Sequence, residues 1–220
     1  MRIVLMGPPG AGKGTQAKRL VERFGMAHLS SGDIFRAEKA SGSDLGQKLA
    51  EYMSAGQLVP DDTVVEVMAR AITQSDAQAG LLLDGFPRTV PQAEALDEQL
   101  DQAEKPLDGV VVIVADDEAI VERITGRRSC PSCGRIYHTK FLPPRRDAFC
   151  DDCEGDVELT QRTDDTEQVV RERLAAYYQQ TEPVIAYYRR QGQVKVVEVD
   201  GNGMPDEVAA ATAQAIEALA

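Results

Sequence analysis

The chain has 220 residues, of which 43% are hydrophobic and 27% charged, and its net charge is −12. That is enough apolar sequence for a full core, so fibrous, disordered and disulfide-stapled miniature classes are excluded. The acidic balance argues against nucleic acid as the main partner, although a small anion can still bind where cations gather locally.

The N-terminal stretch lacks the layout of a signal peptide, and no apolar run approaches membrane-spanning length. The expectation is a cytoplasmic protein with no membrane partner. In chain order, short apolar runs at Arg2–Met6, Ala27–Ser30, Gly80–Asp84, Gly109–Ala115 and Val194–Val199 read as strands. Runs such as Val-Val-Val-Ile-Val-Ala show no polar alternation, which suits parallel strands covered on both faces. Ala17, Leu20, Val21 and Phe24 share one helical face, a long helix is expected from about Thr166 to Arg190, and a last helix from near Pro205. Strand alternating with helix predicts an α/β doubly wound fold. Two segments break the rhythm: residues 31–65 read as helical pieces without a strand, and residues 126–163 carry all four cysteines. Both read as insertions at strand ends, where open α/β sheets bind ligands.

Between the first strand and first helix stands Gly7-Pro-Pro-Gly-Ala-Gly-Lys-Gly-Thr15. It fits the phosphate-loop pattern G-x-x-x-x-G-K-[ST] except that Gly14 takes the hydroxyl position and the hydroxyl arrives at Thr15. Glycines there let backbone N–H groups approach phosphate oxygens, the helix N-terminus adds positive potential, and Lys13 supplies a mobile charge. The competing reading is a glycine-rich turn of no consequence. If a phosphoryl group is transferred, an acidic protein must converge cations on one cleft. Lys13, Arg36, Arg88, Arg123, Arg127, Arg162 and Arg173 are the candidates, each of which could instead be a solvated surface residue.

Cys130-Pro-Ser-Cys133 and Cys150-Asp-Asp-Cys153 have the spacing of a zinc ribbon. Four thiolates suit a closed, structural tetrahedral Zn²⁺ site, and Fe²⁺ or Co²⁺ could take the same ligands. The alternative is two reduced thiol pairs packed as small apolar groups, against which the flanking Asp151 and Asp152 argue. His138 is read as a surface or hydrogen-bonding residue, since four cysteines complete the site. The mixed charges of the segment give no basic stripe for nucleic acid.

The loop GPPGAGKGTQ resembles that of adenylate kinases. So do SSGD (Ser30–Asp33), GQLVPDD (Gly56–Asp62), DGFPRT (Asp84–Thr89), GRR (Gly126–Arg128) and QRTDD (Gln161–Asp165). The resemblance runs along the whole chain. It implies a five-stranded parallel sheet in a core of residues 1–29, 66–125 and 164–220, an AMP-binding insertion at 30–65, and a zinc-bearing lid at 126–163. It implies that Gly10, Ala11, Gly12, Lys13, Gly14, Thr15, Arg123, Arg127, Ile136, Tyr137 and Gly203 bind ATP. AMP would meet Ser31, Arg36, Gln57, Leu58, Val59, Gly85, Phe86, Pro87 and Arg88, with Gln92 reading its adenine and Arg162 and Arg173 bridging the two substrates. Lys13, Arg88, Arg123, Arg162 and Arg173 become the catalytic cations. Asp84 and Asp33 would organise the Mg²⁺ that accompanies ATP. Ser31 stands where the family usually has Thr, Gln57 where it has Lys, and Gly203 where it often has Lys.

The implied reaction is reversible phosphoryl transfer, Mg²⁺·ATP plus AMP giving two ADP, by a protein expected to be a monomer. A kinase for another nucleoside monophosphate is the nearest alternative. A nucleotide switch or zinc-ribbon binding protein is the alternative of another class.

Overall fold

The computed structural model describes residues 1–77 and 79–219. Five strands form one parallel sheet in the order β2-β3-β1-β4-β7, with β1 (Arg2–Met6) central, β2 (Ala27–Ser30) and β3 (Leu81–Asp84) on one side, and β4 (Gly109–Val114) and β7 (Lys195–Asp200) on the other. The strand runs expected from sequence appear within a residue of their ends.

Side-chain alternation along each strand builds two cores. Val4, Met6, Leu81, Leu83, Val110 and Val112 face one way. They pack against α4 (Asp61–Gln74), α5 (Val90–Gln102) and α8 (Glu182–Gln191). Phe35 of α2 (Ser31–Ser41) and Leu49 of α3 (Asp44–Ser54) join the same cluster. Ile3, Leu5, Leu82, Val111 and Ile113 face the other way, against α1 (Lys13–Phe24) and α9 (Pro205–Glu217). Because both faces are covered, β3 is buried throughout and β1 from Ile3 to Met6, which is why their sequences show no polar alternation.

α6 (Asp117–Thr125) leads into a small antiparallel pair, β5 (Arg127–Ser129) with β6 (Ile136–His138). This pair carries its own small cluster of Cys130, Tyr137 and Cys150. α7 (Glu167–Ala176) follows and packs on α6 through Val170 and Leu174.

The helix expected from Thr166 to Arg190 is not continuous. A π turn at Tyr177–Thr181 separates α7 from α8, and Glu182 N–H reaches back five residues to Tyr177 O. Pro183 has no N–H to give to the carbonyl four residues earlier, so the regular ladder cannot run through this point. No helix among the described residues is long and apolar enough to cross a membrane.

Candidate active site

Strand ends and the loops after them enclose one cleft of about 1380 Å³. That exceeds the roughly 300–1,000 Å³ usual for a single small ligand. The phosphate loop forms its floor. Gly12 caps α1 with φ +96°, a left-handed conformation that favours glycine, and so turns the chain to present the helix N-terminus. At Gly14 a β-carbon would meet only Asp84 Oδ2, at 3.8 Å. The missing side chain therefore leaves open space between the helix start and the carboxylate at the end of β3.

Lys13 curls over the loop, donating to Gly7 O at 2.7 Å and Pro8 O at 2.8 Å. Burial lowers its pKa to about 8; Asp84 opposes the shift, while Arg88 and Arg173 reinforce it. Burial likewise lowers Arg88 to about 10, helped by Arg173, and Arg162 to about 10, helped by Arg127 and Arg36. Arg173 is lowered for the same first reason. These shifts share a cause: cations crowd a partly desolvated space and repel one another.

Most of these cations are held by named partners. Arg36 pairs with Asp33, Arg127 with the fully buried Asp165, and Arg173 with Asp164 at 2.9 Å. Arg123 donates to Gly201 O at 2.8 Å, and Arg88 Nε to Gly85 O at 2.7 Å. Burial pushes Asp33 up, but the hydrogen bond and charge of Arg36, with the Ser30 hydroxyl, outweigh it and hold the carboxyl below its usual range. Ser31 Oγ donates to Gly85 O at 2.6 Å. Gln92 is almost wholly buried: its Oε1 accepts from Arg88 N at 2.8 Å and its Nε2 donates to Asp61 at 2.7 Å.

The cleft lining brings together Gly10 to Thr15, Ser31, Asp33, Arg36, Gln57 to Val59, Asp84, Gly85, Pro87, Arg88 and Gln92. Arg123, Arg127, Ile136, Tyr137, Arg162, Arg173 and Gly203 line it as well. Phe86 does not: it is 2% exposed and belongs to the core under the sheet. Arg171 faces away and pairs with Glu118 and Glu167. Sequence reasoning missed four residues: Asp61, His28, Asp164 and Asp165. Asp61 stands inside the quoted GQLVPDD and the last two inside QRTDD, where two acids beside a cleft arginine were the available signal. His28 lines the cleft 3.7 Å from Asp84, its Nε2 buried without a hydrogen-bond partner.

The four cysteine sulfurs all lie within 4.8 Å of one another. Cys130 and Cys153 approach to 3.6 Å, as do Cys133 and Cys150. A tetrahedron with Zn–S bonds of about 2.3 Å has edges of about 3.8 Å, so the donor set fits such an ion. Burial of the knuckles meets the expectation for one cysteine of each pair: Cys133 is exposed and Cys153 half-buried, while Cys130 and Cys150 are buried, 2% and 0% exposed. The neighbouring acids turn outward instead, Asp152 to Arg135 and Asp151 to the Arg145 N–H. Tyr137 OH lies 3.5 Å from Cys150 Sγ and accepts from Asp151 N at 2.7 Å. That hydroxyl is the leading cause of lowering the Cys150 thiol to about 6. His138 is buried rather than on the surface. Its Nδ1 accepts from Lys140 N and Phe141 N, both at 3.0 Å, which puts the proton on Nε2, facing Glu122 O at 3.1 Å.

A central-strand phosphate loop under a cation-lined cleft, on a five-stranded parallel sheet, defines a phosphate-loop protein of the nucleoside monophosphate kinase fold. The family model described as Adenylate kinase matches residues 5–193. An adenylate kinase of Clostridium botulinum is 51% identical over 208 residues, 94% of each chain. Adenylate kinases of Archaeoglobus fulgidus and Desulfitobacterium hafniense are 49% identical over 201 residues and 50% over 200, covering 91% of each chain. The chain belongs to the adenylate kinase family and is a phosphotransferase.

Proposed function

We propose that the protein catalyses reversible transfer of the γ-phosphoryl group of ATP to AMP, giving two ADP. The observation that carries this reading is the convergence of Lys13, Arg36, Arg88, Arg123, Arg127, Arg162 and Arg173 on one cleft of a chain with net charge −12. Phosphoryl transfer needs two anions brought in line and their charge neutralised away from water, with little covalent chemistry from the protein.

ATP lies over the phosphate loop, its phosphates taking the backbone N–H groups of Gly10 to Thr15 and the Lys13 ammonium. Arg123 and Arg127 flank its phosphates, and Ile136, Tyr137 and the Gly203 backbone meet it further out. AMP enters the pocket of Ser31, Arg36, Gln57 to Val59, Gly85, Pro87 and Arg88, with Gln92 on its base. Arg162 and Arg173 bridge the two substrates. No general base is required, because the accepting phosphate is already an anion. The Mg²⁺ that accompanies ATP would be held by ATP oxygens and by waters oriented by Asp84 and Asp33. It would neutralise charge on the transferring group. Residues 126–163 act as a lid that excludes water, stapled by a structural Zn²⁺ on Cys130, Cys133, Cys150 and Cys153. Residues 30–65 form the AMP-binding unit, and the rest of the chain forms the core. The enzyme works as a cytoplasmic monomer.

A coupled ADP-formation assay tests this reading. Lys13→Met should lower turnover by orders of magnitude while far-UV circular dichroism is retained. Turnover equal to that of the unaltered protein would overturn the role of Lys13.

A further inference from the structure

We infer that Asp61, which does not itself line the cleft, sets the acceptor-base specificity of the site by fixing the orientation of the Gln92 side-chain amide. The inference rests on the reading that Gln92 meets the base of the accepting nucleotide.

Asp61 is the first residue of α4, and Gln92 lies in the first turn of α5. Gln92 Nε2 donates to Asp61 Oδ1 at 2.7 Å, and Gln92 Oε1 accepts from Arg88 N at 2.8 Å. The two partners leave the amide no choice of direction. A carboxylate can only accept and a peptide N–H can only donate. Turning the amide over would set carbonyl against carboxylate and NH₂ against N–H, in a residue only 1% exposed, where unpaired polar groups are costly. The acid is itself held, since Thr89 Oγ1 donates to the same Oδ1 at 2.9 Å while capping α5 by accepting from Gln92 N at 3.3 Å.

With both ends anchored, Gln92 still has one hydrogen on Nε2 and one lone pair on Oε1 for a ligand. An amide fixed this way matches a base edge that sets a donor beside an acceptor. Adenine offers that pair, N6–H₂ beside a ring nitrogen acceptor. Hypoxanthine differs only at position 6, where an oxygen acceptor replaces the amino donor, and N1 becomes a donor. It would need the amide reversed. Without Asp61 only the Arg88 N–H opposes reversal and the amide can turn to accept either base, whereas with both partners in place it cannot. Asp61 is thus a positioning residue, acting on specificity through Gln92.

The experiment compares AMP and IMP as acceptors at saturating ATP, using the full-length, metal-loaded protein. Asp61→Asn keeps the shape but lets the residue donate or accept, and Asp61→Ala removes it. For both variants we expect a higher KM for AMP with a smaller change in kcat. The AMP-over-IMP ratio of kcat/KM should fall by about tenfold or more. Gln92→Ala should lower the ratio too, and adding Asp61→Asn to it should lower it no further. If Gln92→Ala collapses the ratio but both Asp61 variants hold it within about twofold, Asp61 is only structural and the inference is overturned. Asp61 variants that weaken both acceptors alike would mark a purely structural loss and overturn it as well. If Gln92→Ala itself leaves the ratio unmoved, base reading by Gln92 falls, and the inference with it.

Discussion

Lys13 directs two of its ammonium hydrogens at the carbonyls of its own loop, yet burial leaves it with a pKa of about 8. An arriving phosphate would restore the missing counter-charge and raise that value. A group whose pKa is higher in the bound state contributes fully below its free pKa, and its contribution is lost as pH rises through the bound one. ATP affinity should therefore be flat with respect to Lys13 below about pH 8 and weaken above it, by up to about tenfold per pH unit until the bound pKa is reached. Calorimetric titration with ATP between neutral and alkaline pH, in two buffers of different ionisation enthalpy, should show this weakening with proton uptake. An affinity that stays level across that range would show that Lys13 keeps its proton throughout. At this scale the sequence was informative about which residues meet and less so about how they are held. The loop and the cysteines were legible because their chemistry is tied to spacing, and the arginines because the family resemblance singled them out. Asp61 was not, because its partner Gln92 is 31 positions away and only the packing of α4 against α5 joins them.

Elements carry the second kind of information. The strands were legible because burial on both faces writes continuous apolar runs, and the phosphate loop sits where strand hands over to helix. The π turn at Tyr177–Thr181 was not, although Pro183 stood inside the expected helix as a warning. The stitching at the base of the cysteine-bearing segment was equally hidden. Arg127 at the start of β5 pairs with Asp165 just before α7, and Gln161 Nε2 bonds Thr125 O at 3.0 Å and Asp165 O at 3.2 Å. Chain entering and chain leaving are thereby tied together. Asp165 is 0% exposed and the Arg127 side chain 19%. Removing one member of such a pair strands the other charge in a poorly hydrated place, at a cost of about 3–5 kcal/mol. Asp165→Ala should accordingly lower Tm by on the order of 10 °C in a chain of this size. A Tm within about 2 °C of the unaltered protein would mean that Arg127 finds water or another partner.

At the scale of the whole molecule, an acidic chain concentrates its buried cations on one cleft and its thiols in one small segment. Residues 126–163 have little apolar material of their own: Cys130, Tyr137 and Cys150 are the buried members of their cluster, and two of those three belong to the four-sulfur set that could hold a metal ion. A unit this poor in core cannot hold its shape by hydrophobic burial alone. A tetrahedral ion on the four sulfurs would supply the missing constraint, because binding that requires the folded arrangement is also folding free energy. The sulfurs complete a closed set and leave no coordination position for substrate. The buried Tyr137 phenol meets Cys150 Sγ and the Asp151 N–H, so it spans from β6 to the second knuckle. Stripping the ion should therefore loosen the segment without removing any group that touches phosphate. Prolonged chelation is expected to lower Tm by several degrees, on the order of a 1–3 kcal/mol loss. Phosphotransfer at moderate temperature should fall much less, because ATP and AMP can still order the segment around themselves. Calorimetry and the coupled assay on the same chelated sample separate the two effects, and re-addition of Zn²⁺ should restore Tm. Loss of activity in full, with secondary structure intact and Tm unmoved, would instead place the metal at the chemistry.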